Sequence, residues 1–240
     1  MARLVVGLPS LHGDLAKYAN RFDLLELRPV DTSVPRPGTL RKWRKSVPPT
    51  FVFSVVLPRA VSALAAGPAL EEALAASLEV AAAVEARCVV LQTPAEVRPT
   101  AANKKKLAAL FERIPKEGVV RCWEPAGIWE REEILVTARS LGVLPVLDAA
   151  REALPAGPIA YTRLRALGKT AALGSATVER VADRLRKRRE SFVVVEGTAG
   201  EAQRVKTSLT AEVAKKRAAT TGATVVRPAM STLVAEDEEQ

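Results

Sequence analysis

Residues 87–124 read RCVVLQTPAEVRPTAANKKKLAALFERIPKEGVVRCWE, and this stretch decides the fold. It opens on a near-continuous apolar run, Arg87–Gln92, and closes on a second, Gly118–Glu124. Runs without polar alternation mark strands buried on both faces of a parallel sheet. Between them Leu107, Leu110, Phe111 and Ile114 recur at i, i+3, i+4 and i+7, the stripe of an amphipathic helix.

The same alternation continues on both sides. Further strands are predicted at Arg3–Leu8, Phe22–Leu27, Thr50–Leu57, Val143–Leu147, Ile159–Leu164 and Phe192–Val195. Leu70, Leu74 and Leu78, followed by Ala81 and Val84, form a second helical stripe. Val178, Val181 and Leu185 form a third, with Arg180, Arg184, Lys187 and Arg188 on its opposite side. Pro37, Pro68 and Pro99 sit near helix starts, where a missing N–H costs little. One crossover is weak: Ala149–Leu154 is short and is followed by Pro155, Gly157 and Pro158, so a helix there is expected to shrink to a turn. Eight strands with intervening helices imply a single-domain (β/α)8 barrel of the TIM type. A doubly wound open sheet is the rival, but it calls for a Gly-rich phosphate turn after the first strand, and Gly7-Leu8-Pro9-Ser10 is not one. The barrel is expected over residues 1–214. Residues 215–240 read as a charged tail, opening on Lys215-Lys216-Arg217, closing on Glu236-Asp237-Glu238-Glu239, and partly disordered.

Composition narrows the function classes. The 240 residues are 48% hydrophobic but only 4% aromatic, so the core is expected to rely on Leu, Val and close alanine packing. Lys and Arg number 36 against 27 Asp and Glu, a net charge of +9 that favours anionic partners. Plain solubility is the competing reading of that charge. The single histidine, His12, excludes His-rich metal sites, and the sequence leaves any cofactor unknown. Cys88 and Cys122 lie in apolar runs and read as buried packing thiols, which suits a reducing compartment. The apolar stretch Leu4–Pro9 is too short for a signal segment, and no run of about 18 uncharged apolar residues occurs. The expected location is the cytoplasm, without a membrane partner.

A set of short motifs carries a resemblance. Val34-Pro35-Arg36-Pro37-Gly38-Thr39-Leu40-Arg41-Lys42-Trp43 lies between the second and third strands. Glu26 closes strand two, and Phe51-Val52-Phe53 leads to Pro58-Arg59. Leu91-Gln92-Thr93-Pro94, Glu124 with Trp129, and Tyr161-Thr162-Arg163-Leu164 follow in order. In order and spacing these resemble the YecE-like family, also called domain of unknown function 72, over roughly residues 3–213. The resemblance implies a TIM barrel of unestablished biochemistry. It also has departures: Arg28, Val56 and Arg165 stand where the family carries Asn, Lys and His, and Glu124 is followed by Pro125 and not by the family's Arg-His pattern.

In such a barrel functional groups sit at the C-terminal ends of the strands. Those positions hold Glu26, Gln92, Glu124, Asp148, Arg163 and Glu196. Three readings stay open. Glu26, Glu124 and Asp148 could work as catalytic carboxylates in acid/base chemistry, or the carboxylates could serve as oxygen ligands for Mg²⁺. Gln92, Arg163, Glu196, Gly197 and Thr198 could bind an anionic, phosphate-containing ligand, with Thr198 capping the last helix. Alternatively Arg163 and the glutamates form a mutually satisfied ion-pair ring. Gly168-Lys169-Thr170 lacks the upstream glycine of a P-loop, since position 163 is arginine, and at most makes a loose anion-binding turn. The basic clusters 41–45, 104–106 and 184–189 read as solvated helix faces. A nucleic-acid or protein partner on those faces is the rival function, with Trp43, Trp123 and Trp129 the aromatics available by type.

Overall fold

The computed structural model describes residues 3–11, 13–28, 35–165 and 174–222. His12 and the Gly168-Lys169-Thr170 turn lie outside the described residues. The strands are β1 Arg3–Leu8, β2 Leu24–Leu27, β3 Val52–Val56, β4 Cys88–Thr93, β5 Val120–Pro125, β6 Leu144–Pro145, β7 Ile159–Arg165 and β8 Glu190–Glu196. The helices are α1 Leu15–Ala19, α2 Pro37–Ser46, α3 Arg59–Ser62, α4 Pro68–Ala83, α5 Ala101–Glu112, α6 Arg131–Leu141, α7 Ser175–Leu185 and α8 Ala199–Gly222. All strand pairs are parallel and run in the order β6-β5-β4-β3-β2-β1-β8-β7. Each expected strand is present, and the (β/α)8 barrel stands.

The last seam, β6 to β7, closes on a single bridge, Leu147 to Thr162. Pro145 brings no N–H to that seam, and β6 is two residues long. The Thr162 hydroxyl makes up part of the deficit, donating to the Leu147 carbonyl at 2.7 Å and accepting from the Ala149 amide at 2.9 Å.

Strand side chains alternate between two apolar environments, which explains the unbroken Val and Leu runs. Val5, Leu24, Val52, Val56, Cys88, Val90, Val120, Cys122, Val146, Tyr161, Phe192 and Val194 fill the barrel interior. The alternate residues, among them Val6, Leu25, Phe53, Val89, Leu91, Trp123 and Val193, pack outward against the helices. Cys88 and Cys122 are free and buried, as packing thiols should be. Gly7 is needed where β1 meets β2, because a Cβ there would come within 1.7 Å of the Leu24 carbonyl oxygen.

The helical stripes are largely as read. Leu107, Leu110, Phe111 and Ile114 are all buried, Ile114 just past the end of α5. In α4 the buried row is Leu70, Leu74, Ser77 and Ala81, while Leu78 is only half-buried; the Ser77 hydroxyl is satisfied by the Ala73 carbonyl at 2.7 Å.

No helix joins β6 to β7, as the weak signal there implied. Its absence leaves backbone carbonyls that a helix would have paired, and arginines of the flanking helices take them. Arg184 donates to Ala149 O at 2.5 Å, Arg180 to Ala150 O at 3.0 Å, and Arg131 to Ala153 O at 2.9 Å. Arg188 reaches Gly157 O at 2.5 Å and Leu154 O at 3.4 Å. These arginines are therefore not a solvated face: three of the four basic residues opposite the α7 stripe brace this connection.

Helix α8 runs through the expected boundary at 214 to Gly222. Val213 is buried, Lys216 pairs with Asp183 at 3.0 Å, and Arg217 donates to Arg186 O at 3.1 Å. Among the described residues no helix is long and apolar enough to cross a membrane.

Candidate functional site

Toward the C-terminal end of the barrel the inward-facing positions of several strands change from apolar to polar. Glu26 follows Leu24, Gln92 follows Val90, Glu124 follows Cys122, Arg163 follows Tyr161 and Glu196 follows Val194, each two residues on and so on the same face. The ring brings these five together from five different strands.

Arg163 is at the centre, with 1% of its side chain exposed. Its Nη2 lies 3.0 Å from each oxygen of Glu26. Its Nε donates to Glu124 Oε2 at 3.0 Å and lies 3.4 Å from Glu196 Oε1. Gln92 joins by donating to Glu124 Oε2 at 2.6 Å. Burial works against the guanidinium charge, but Glu26 and Glu124 outweigh it and hold the Arg163 pKa above its ordinary value. Such a cluster survives only because each buried charge has a partner, since an unpaired one costs several kcal/mol.

Four members were not singled out as site residues from the sequence. Arg28 donates to Glu26 Oε1 at 2.9 Å and to Gln92 Oε1 at 2.9 Å. Arg165 pairs with Glu124 and lies 3.4 Å from Glu196 Oε2. Tyr161 donates to Glu26 Oε2 at 3.2 Å and shares a bond of 3.0 Å with Ser54. Burial, and then the Glu26 charge, push the Tyr161 pKa well up, which keeps its proton in place for that bond. The strand period was the available signal: Arg28 and Arg165 stand two residues beyond Glu26 and Arg163, and Tyr161 two before.

Two groups of expected site residues are occupied elsewhere. The Asp148 carboxylate caps the turn after β6, accepting from the Ala150 amide at 2.8 Å and pairing with Arg151 at 3.4 Å. It reaches the neighbourhood of the ring only through the Arg165 backbone amide at 3.4 Å, so it does not join Glu26 and Glu124 as a third carboxylate. Thr198 caps α8, and Glu201 completes a capping box: the Glu201 amide donates to Thr198 Oγ1 at 3.2 Å, and Glu201 Oε2 accepts from the Thr198 amide at 2.8 Å. The Glu201 carboxylate thus sits at this helix start, within the capping box and beside Gly197 and Thr198. The aromatics also have structural partners. Trp123 and Trp129 are buried, donate to Thr93 Oγ1 and Val97 O, and stack edge-to-face at 4.8 Å.

Among the described residues no group of His, Cys, Asp or Glu is arranged to hold a metal ion. One capacity remains unspent: Arg163 Nη1 is buried and has no acceptor.

The sequence profile of the family described as "Protein of unknown function DUF72" matches residues 6–231. A DUF72 family protein from Enterococcus faecalis V583 superposes with a TM-score of 0.65 at 16% identity, over 88% of this chain and 97% of that one. Another, from Thermotoga maritima MSB8, gives 0.64 at 19% identity, over 86% and 99%. A structure described as L-ribulose 3-epimerase gives 0.66 at 16% identity, over 95% and 100%, a likeness of fold alone. No curated protein matches. The profile match over most of the chain shows that it belongs to the DUF72 family, as a divergent member with a TIM barrel.

Proposed function

We propose that this protein binds a small oxyanion-bearing ligand, of the phosphate-containing kind, at the C-terminal mouth of the barrel. The observation that carries the reading is Arg163 Nη1, a buried donor without an acceptor in a network where nearly every other donor is satisfied. A buried donor left unmet costs about 1–3 kcal/mol, and an anionic oxygen would recover it. Arg28 and Arg165, 26% and 49% exposed, pair with the same glutamates as Arg163 and offer further cationic contacts. Binding is favoured over hydrolysis because Glu26 and Glu124 are each tied to Arg163, and a general acid or base must be free to move a proton.

Thermal unfolding with inorganic phosphate, a sugar phosphate and the matching neutral sugar tests this reading. The phosphates should raise Tm by several degrees at saturation and the neutral sugar should not. Arg165→Ala should reduce the shift. No shift with either phosphate at millimolar concentration overturns the proposal.

A further inference from the structure

The three carboxylates of the mouth are held very differently. Glu26 is enclosed and receives Arg163, Arg28 and Tyr161 at 2.9 to 3.2 Å. Glu124, nearly as buried, receives Gln92, Arg163 and Arg165. Glu196 has two ion-pair contacts, both at 3.4 Å, one to the Nε of Arg163 and one to the Nε of Arg165. Its side chain is 35% exposed, against 0% and 9% for the other two. It is also the last residue of β8, so solvent is directly within its reach.

We infer that Glu196 is a built-in stand-in for the ligand: its carboxylate occupies the place of the ligand's oxyanion, and binding proceeds by displacing it. This rests on the anion-binding reading above and adds how the site is kept closed without ligand. Arg163 keeps Glu26 and Glu124 in the exchange, and what changes is the third negative charge beside it. Exchanging Glu196 for an external anion keeps the charge around it balanced, whereas a neutral polyol would not. The exchange is cheap for Glu196, because it gives up two long contacts and turns to water. The ligand class follows: a small molecule bearing a phosphate or carboxylate group that takes the place of Glu196 beside the Nε of Arg163, which Glu124 also receives, and the Nε of Arg165. Selection against neutral molecules is then a competition with an internal carboxylate.

Isothermal titration with inorganic phosphate, and separately with acetate, is the test, using the wild-type chain, Glu196→Gln, and Glu196→Gln combined with Arg165→Ala. Glu196→Gln keeps the shape and removes the competing charge. It should bind one or both anions about tenfold more tightly. The double variant should lose that gain. Tightening with phosphate alone, or with acetate alone, supports displacement and identifies the group. Binding to Glu196→Gln where the wild type shows none also supports it. If the wild type binds and Glu196→Gln binds equally or more weakly, Glu196 is not a stand-in, while the anion-binding reading survives. If no variant binds either anion, both proposals fall. An unfolding midpoint for Glu196→Gln close to wild type shows that the fold is unchanged.

Discussion

Both ends of the barrel interior carry arginine–glutamate pairs, but burial separates them. At the N-terminal end Glu190 receives Arg3 at 3.3 Å on one oxygen and Arg87 at 3.2 Å on the other. Both arginines are more than a third exposed, and each spends its other nitrogen on a backbone carbonyl, of Thr50 and Gly118. At the C-terminal end three carboxylates surround Arg163, which is 1% exposed and keeps one nitrogen without an acceptor. The first arrangement is complete and its arginines are wet, although Glu190 itself is nearly as buried as Glu124. The second is dry and one acceptor short. The same residue types thus satisfy one another fully at one end of the barrel and leave a buried donor unmet at the other, where low dielectric multiplies both the strength of a pair and the cost of leaving one undone.

The comparison can be broken most directly at Arg163. Arg163→Ala leaves Glu26 and Glu124 buried without their central cation, and should cost about 3–5 kcal/mol in denaturant unfolding. Arg163→Met combined with Glu26→Gln and Glu124→Gln should recover much of that loss. A small effect of Arg163→Ala alone would mean that the mouth is wetter than its geometry.

A pH series sharpens the contrast next. The Tyr161 pKa is raised from an ordinary value of 10.0, first by burial and then by Glu26. The Cys88 pKa is raised from 9.0, first by burial. In both cases the unfolded chain releases its proton before the folded one. The stability tied to these groups is therefore complete below their unfolded values and is lost as pH climbs through and beyond them. Unfolding free energy should decline from about pH 9 and more steeply above 10, by about 1.4 kcal/mol per pH unit for each group in play. Tyr161→Phe should make the slope above pH 10 shallower, even though it loses the bond to Glu26. An unchanged slope would remove Tyr161 from the account.

The smallest effect belongs to the N-terminal end. Glu190→Gln should cost about 1 kcal/mol or less, since its partners keep much of their hydration. High salt should shrink that difference further and leave the Arg163→Ala penalty nearly intact. Equal costs at the two ends would erase the distinction between them.

How far the sequence could be read shows in particular residues. Arg163 and the glutamates were identifiable as site candidates because each stands one strand period beyond an apolar residue. Arg28 and Arg165 follow the same period, yet nothing local says that they reach Glu26 and Glu124. Thr198 and Glu201 form a T-x-x-E pattern, a local signal of a capping box that competes with any anion at that helix start. Asp148 stands at a strand end like the others, but the turn after a two-residue β6 captures its carboxylate. The α7 arginines are basic in any reading; their role as braces depends on a connection more than twenty residues upstream.

Sequence alone determined the eight strands, their burial on both faces and hence the barrel, because these depend on the period and hydrophobicity of short segments. It also determined that charge would collect at the strand ends. Tertiary structure decided the partners: which arginine stands at the centre, which carboxylate is loosely held, and which donor is left over. Those outcomes follow from ring closure and strand register, which set distances of about 3 Å between residues more than a hundred positions apart in the chain.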